Sequence, residues 1–111
     1  MIETTELPAA FAALKGKLGG LEAALDLPAL QVRIGEIEKK MEAPGFWNAP
    51  EAAQGRIEEL KRLKAKATPL LEAARSLRDL EELFHLGESE GDESTLREVA
   101  QDLEGLAGAV D

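Results

Sequence analysis

The sequence contains no cysteine and no tyrosine, and it has a single histidine. Disulfides and thiolate metal sites are therefore excluded, and the composition suits a reducing compartment. Only 4% of the residues are aromatic, too few for a surface that binds nucleic acid by stacking on bases. No apolar run approaches the ~20 residues that span a bilayer, and the mixed, acidic first residues predict no secretory signal. We therefore expect a cytoplasmic protein that makes no membrane contact.

The chain is short and acidic. Its 111 residues carry a formal net charge of -9, which argues against phosphate binding as a main activity and predicts little direct contact with nucleic acid. The hydrophobic fraction of 44% is ordinary for a folded protein. We expect one helical domain that covers residues 1–111.

The central element of the predicted fold is one long helix, about residues 49–86. Its apolar residues alternate at spacings of three and four, as in a helix that packs along its length against other helices. No segment alternates at period two, so we predict an all-α fold: an elongated antiparallel helical bundle or coiled coil of about four helices around this central helix. The seam consists of Leu60, Leu63, Ala67, Leu70, Ala74, Leu77 and Phe84.

Three further helices are predicted at about residues 5–25, 27–42 and 93–110, each with its own apolar seam. Asp26 and Pro28 separate the first two, with Asp26 as a cap. The short connections predict that helix 2 folds back on the first half of the long helix and helix 4 on the second half. Helix 1 then lies beside the second half, nearly collinear with helix 2. Pro69 either kinks or ends the long helix, and the continuous apolar phase across it favours a kink.

The corner before the long helix is predicted from its capping residues. Asn48 and Glu51 have the spacing of a capping box, and Pro50 suits the first turn. Trp47 is interpreted as a buried residue that fixes this corner, and the alternative is an exposed ligand platform. After the long helix we expect a polar, acidic turn over residues 87–92, with His85 in the last helical turn.

A basic stretch runs from Arg56 to Lys66, with five positive and two negative side chains. Lys61, Arg62 and Lys66 lie away from the seam. The ordinary interpretation is a solvated helix face that includes an ion pair between Glu58 and Arg62. The alternative is a basic contact patch for a partner, and these three residues are its predicted members.

No pattern of catalytic chemistry is recognisable. There is no cysteine, and the single histidine has no partner at catalytic or metal-ligand spacing. Gly16, Gly19 and Gly20 do not follow a strand and lack the spacing of a phosphate-binding loop. We therefore predict no enzyme activity, no catalytic residue, no cofactor and no metal site.

The corner carries a family resemblance. A Pro-x-x-Trp-Asn-x-Pro-Glu-x-Ala-Gln stretch that opens a long helix resembles the N-terminal region of the bacterial peptide chain release factor 2 family. The resemblance covers the chain from about Leu25 onward. The matching positions are Pro44, Trp47, Asn48, Pro50, Glu51, Ala53 and Gln54.

The resemblance implies a helical domain of a cytoplasmic translation-termination factor that reads UGA and UAA. In that family the domain reaches toward the stalk base of the large ribosomal subunit, and codon reading and peptidyl-tRNA hydrolysis belong to a Ser-Pro-Phe tripeptide and a Gly-Gly-Gln loop. Neither occurs here, so the resemblance implies an excised domain that docks on the ribosome and carries no catalytic residue. From the residues alone, a free-standing coiled-coil adaptor or assembly module fits equally well.

Overall fold

The computed structural model describes residues 1–111, and it contains four α-helices and no strand. The all-α class is therefore confirmed, and most of the predicted helix bounds hold to within two residues. Two short 3-10 turns, Thr4–Glu6 and Phe46–Asn48, precede the first and third helices. The helices are α1 (Leu7–Leu25), α2 (Leu27–Met41), α3 (Pro50–Glu90) and α4 (Glu93–Val110).

The chain divides into two compact units. Unit 1 consists of Met1–Leu21 and Leu71–Asp111, and unit 2 consists of Glu22–Leu70. Unit 1 thus contains most of α1, the second half of α3 and the whole of α4. Unit 2 contains α2, the second 3-10 turn and the first part of α3.

Unit 1 is a three-helix bundle. The rings of Phe11 and Phe84 lie 5.4 Å apart between α1 and α3, and Lys15 pairs with Glu81, so α1 runs antiparallel to α3. Burial follows the predicted three-four alternation, because each helix turns one stripe toward the other two. This confirms that helix 1 lies beside the second half of the long helix. The buried residues are Leu7, Phe11, Leu14, Leu18, Leu77, Phe84, Val99, Ala100 and Leu103.

Helix α4 runs parallel to α1 within unit 1. The Thr4 hydroxyl donates to Glu93 near the start of both segments, and Lys17 pairs with Asp111 farther along. The first helix begins at Leu7, two residues later than predicted. Glu3 and Glu6 exchange side-chain and backbone hydrogen bonds around the 3-10 turn, which satisfies the first free N–H groups.

The connection from α3 to α4 is shorter than predicted. Helix α3 continues to Glu90, so His85 does not lie in its last turn. Gly91 then adopts φ 65°, and the Asp92 N–H donates to the Gly87 carbonyl at 2.8 Å. This is the glycine-terminated ending that satisfies the last helical carbonyls, and it allows four residues of the expected polar turn to remain helical.

Unit 2 packs α2 on the first part of α3. Leu27 and Ile37 are buried on α2, and the buried residues of α3 here are Ala53, Ala67 and Leu70. Asp26 stands at the N-cap position of α2 but has φ 50° and accepts no capping hydrogen bond through its side chain. The predicted capping role of Asp26 is therefore wrong. Asp26 instead turns the chain in the left-handed conformation that Asp tolerates better than most residues.

Pro69 does not end the long helix, since α3 is continuous from Pro50 to Glu90. Pro69 lies on the exposed side of α3, one turn after Ala65, which is also exposed. The Ala65 carbonyl, which loses its helical partner at a proline four residues later, thus belongs to an exposed residue on the side of α3 that no other helix covers. This position explains how the helix accommodates the proline.

The predicted capping box at the start of α3 is not formed. Asn48 belongs to the 3-10 turn, its N–H donates to the Gly45 carbonyl at 3.0 Å, and Ala49 separates it from the helix. Two large apolar residues are also exposed, Leu25 at the end of α1 and Leu86 near the end of α3.

Candidate docking surface

Charge is distributed unevenly along the chain. Residues 22–70 contain eight acidic and eight basic side chains, whereas the rest of the chain contains 14 acidic and five basic ones. The whole net charge of -9 therefore belongs to unit 1. A negatively charged partner meets less repulsion at unit 2 than at unit 1.

Two of the five cations between Arg56 and Lys66 are held by carboxylates. Arg56 Nη1 lies 3.4 Å from Glu59 Oε1, and Lys64 Nζ lies 3.1 Å from Glu38 Oε2 on α2. Both cations therefore serve contacts inside unit 2. The predicted ion pair between Glu58 and Arg62 is absent, and Glu58 accepts instead from the Gln54 side-chain amide at 3.4 Å.

The other three cations are Lys61, Arg62 and Lys66, the members of the predicted contact patch. All three side chains are exposed, and none has a carboxylate within 4.0 Å. Arg62 and Lys66 are one turn apart on the same side of α3. The structure thus places three unpaired positive charges on one short length of helix. That they bind a partner stays a prediction.

The segment that carries these cations is fixed to α2 by Arg33. The Arg33 guanidinium donates from Nε and Nη2 to the two carboxylate oxygens of Glu59, each at 2.9 Å. The hydrogen bond from Arg33, with its positive charge, lowers the pKa of Glu59, and the same bond raises the pKa of Arg33. Such a bidentate pair has a defined geometry, which a single lysine contact lacks.

Trp47 is not a core residue. Its side chain is 59% exposed and lies edge-on to the Phe46 ring, with the ring centres 4.9 Å apart. The interpretation of Trp47 as a buried corner residue is therefore wrong. The physical reason is that residues Phe46–Asn48 form a 3-10 turn in place of the predicted capping box, and this turn directs Trp47 outward. Phe46, beside it, is the half-buried member of the pair.

The remaining sequence candidates form no constellation. His85 is exposed, with its ring 5.3 Å from that of Phe84. No three His, Asp or Glu side chains are grouped as they would be around a metal ion. None of the helices combines the length and the apolar character needed to cross a membrane.

Two features escaped the sequence analysis. The Arg33–Glu59 pair joins residues 26 positions apart, and no local pattern indicated it. The outward position of Trp47 had one available signal. The Pro-Gly dipeptide that precedes Phe46 and Trp47 is a turn signal, and Gly45 does adopt a left-handed turn conformation, with φ 94°.

Similarity to known proteins is extensive along this chain. It is 36% identical over 98 residues to peptide chain release factor 2 of Acidothermus cellulolyticus, which covers 88% of this chain. It is 34% identical over 104 residues to peptide chain release factor 2 of Burkholderia pseudomallei, or 94% of this chain. The corresponding protein of Burkholderia cenocepacia is 37% identical over 101 residues. No family model and no solved structure matches the chain.

The match covers only part of each relative. The chain spans 27% of the Acidothermus cellulolyticus protein and 28% of each Burkholderia protein. Identity above 30% over nearly the whole of this chain, repeated across distant bacteria, identifies common ancestry for that part. The resemblance seen in the corner sequence is confirmed, and the chain is homologous to a region of bacterial peptide chain release factor 2.

Proposed function

We propose that this chain is the N-terminal helical domain of a class I peptide chain release factor that acts in translation termination in the cytoplasm. The observation that carries the proposal is its identity of 34–37% to three release factors over most of its length. The full-length factor terminates synthesis at UGA and UAA. Within it, this domain docks the factor on the ribosome, near the stalk base of the large subunit.

The docking role is supported by the exposed, unpaired cations Lys61, Arg62 and Lys66. A surface charge that has no partner within its own protein keeps its full attraction for an oppositely charged group elsewhere. The bidentate Arg33–Glu59 pair fixes the part of α3 that carries these three cations. The backbone there therefore loses little conformational entropy when a partner binds.

Catalysis belongs, in this proposal, to parts of the factor outside this sequence. Neither the Ser-Pro-Phe tripeptide nor the Gly-Gly-Gln loop of the family occurs among these 111 residues. The domain therefore contributes contact area and positioning, and it makes no interaction with the reacting ester. The purified chain is expected to release no peptide from programmed ribosomes at any stop codon.

The proposal is tested by measuring peptide release against factor concentration, for the full-length factor and for a factor without residues 1–111. Docking predicts that truncation raises the concentration at half-saturation more than it lowers the saturating rate. A truncation that lowers the saturating rate and leaves half-saturation unmoved overturns the docking role. In that case the domain helps to set the geometry of the catalytic part.

A second arm tests the basic face directly. Charge reversal of Lys61, Arg62 and Lys66 to Glu is expected to reproduce part of the loss of binding, more at low salt than at high salt. The matched control reverses Arg75, Arg78 and Arg97, three exposed arginines without an ion pair, and changes the net charge equally. Equal losses in the two variants would show that net charge alone, and not this face, governs binding.

A further inference from the structure

One side of α3 in unit 1 is covered by no other helix. Leu71 and Leu86 lie on this side, and they are the two large apolar residues of α3 that are exposed, to 38% and 54%. The buried Leu77 and Phe84 lie on the opposite side of the helix, against the core of unit 1. We call the uncovered side the outer α3 face. Its members, all exposed, are Leu71, Arg75, Arg78, Asp79, Glu82 and Leu86.

The charges of the outer α3 face are balanced and free. Arg75 and Arg78 supply two positive charges, and Asp79 and Glu82 supply two negative ones. None of the four side chains has an oppositely charged group within 4.0 Å. Each is therefore available to a charged group outside this chain, and the face as a whole attracts a partner that also carries both signs.

The rest of unit 1 is strongly acidic. Of its 14 carboxylates and five basic side chains, the outer α3 face holds two of each sign, so 12 carboxylates and three cations lie elsewhere. The edges of the face carry Glu72 on one side and His85 on the other, and Glu81 is already paired with Lys15. A second acidic copy of unit 1 therefore meets the least repulsion at this face.

The order of residues on the outer α3 face is complementary to itself. In two antiparallel helices related by a two-fold axis, residues at equal distances from the axis face each other. Leu71 and Leu86 are equally far from the midpoint of the face, so each leucine meets the other across the axis. Arg75 and Glu82 are also equally far from the midpoint, so opposite charges meet. An antiparallel second copy thus matches the face at both its apolar and its charged positions.

We propose that two copies of this chain associate through the outer α3 face, with their α3 helices antiparallel and the two-fold axis between Arg78 and Asp79. The contact goes beyond the proposed function, because ribosome docking is assigned to other residues of the chain. From Leu71 to Leu86 the face is ~22 Å long, which makes a small contact, so the dimer is weak and forms at high concentration.

Sedimentation equilibrium of the chain between ~10 µM and ~1 mM measures the association. We expect the average mass to rise from 11.9 kDa toward twice that value. Two double variants remove the complementarity: Arg75→Glu with Arg78→Glu makes the face wholly negative, and Asp79→Arg with Glu82→Arg makes it wholly positive. Each variant alone is expected to associate about tenfold more weakly or less, and an equal mixture of the two is expected to dimerise again.

The matched control is Lys40→Glu with Arg97→Glu. Both residues are exposed, unpaired and outside the face, and this variant changes the net charge as much as the double arginine reversal does. Circular dichroism verifies that each variant is folded. A parent chain that stays monomeric at ~1 mM, a control that loses as much association, or a mixture that does not dimerise would each overturn the proposal.

Single cysteines test the antiparallel register, since the chain has none of its own. Under mild oxidation, a mixture of Leu71→Cys and Leu86→Cys chains is expected to form a disulfide between copies. Either variant alone is expected to form little, because the same residue in the two antiparallel copies is ~22 Å apart along the helix, beyond the reach of a disulfide. Equal cross-linking by a single variant and by the mixture would overturn the antiparallel arrangement.

Discussion

Arg33 on α2 holds Glu59 on α3 by two hydrogen bonds of equal length, 2.9 Å each, from Nε and Nη2 to the two carboxylate oxygens. Arg56 approaches the same carboxylate at 3.4 Å from its own helix. Glu59 therefore has a cation on two sides. This arrangement ties α2 to the part of α3 that carries the candidate docking cations.

Loss of the two hydrogen bonds from Arg33 to Glu59 is expected to destabilise the chain. Arg33→Ala removes both hydrogen bonds to Glu59, and Arg33→Lys retains the charge but not the two-point geometry, so both variants should have lower urea midpoints than the parent chain. Lys64→Ala, which removes the single exposed contact with Glu38, is the control and should change the midpoint less. A midpoint equally lowered by Lys64→Ala would show that the bidentate geometry contributes nothing specific.

Asp92 should make stability depend on pH. Its carboxylate accepts from the Thr95 hydroxyl at 2.8 Å and from the Thr95 N–H at 3.1 Å, and these two bonds lower the pKa of Asp92. A lowered pKa means that the stabilisation is present above the ordinary value of about 4 and is lost as pH falls through the folded-state value. Thermal unfolding midpoints should thus fall in acid.

Two substitutions at Asp92 separate charge from capping. Asp92→Asn keeps an acceptor for the Thr95 N–H, so it should lower the midpoint at neutral pH less than Asp92→Ala does. Both variants should lose the part of the acid dependence that Asp92 contributes. An acid dependence identical in all three chains would assign it to other carboxylates, Glu59 among them.

Glycine substitutions should have opposite signs at two positions. A Cβ at Gly87 would lie 3.0 Å from Thr95 Cγ2 and 3.3 Å from Leu96 Cδ2, whereas a Cβ at Gly105 would meet nothing within 4 Å. Gly105→Ala should raise the free energy of unfolding by ~0.5–1 kcal/mol through helix propensity. Gly87→Ala should lower it by ~1 kcal/mol, because overpacking exceeds that gain. Urea denaturation measures both, and stabilisation by Gly87→Ala would contradict the close packing of α4 there.

Aromatic truncations should separate the core from the surface. Phe11 is buried against Phe84, so Phe11→Ala should cost ~3–5 kcal/mol of unfolding free energy. Trp47→Ala should cost less than ~1 kcal/mol, because solvent already covers most of the ring. Urea denaturation of the two variants measures the difference. A cost at Trp47 as large as that at Phe11 would mean that the ring is buried in solution.

Most of the fold could be read from the sequence because helices are local. An apolar residue every three or four positions forms a stripe on any α-helix, whatever packs against it. Leu7, Phe11, Leu14 and Leu18 show this directly, since the predicted seam of helix 1 is buried over these four residues. The break before Pro28 was equally predictable, because proline restricts the backbone by its own covalent structure.

The ends of the helices were less predictable. Asn48 and Glu51 have capping-box spacing, yet the chain forms a 3-10 turn at Phe46–Asn48. Helix α3 gains a further turn beyond Leu86, because a glycine ending at Gly91 satisfies its last carbonyls. Local alternatives at helix ends differ by about 1 kcal/mol, and contacts with other elements decide between them.

The sequence by itself therefore determined that this chain is helical, where its helices lie, and which family it resembles. The tertiary structure alone decided which cations are free and which are paired, and it placed Trp47 outside the core. Pairing and exposure depend on residues far apart in the chain, such as Arg33 and Glu59, whereas a helical stripe depends only on neighbours a turn away. For that reason the architecture and the members of the basic patch were predictable from the sequence, and the pairing of its neighbours and the exposure of Trp47 were not.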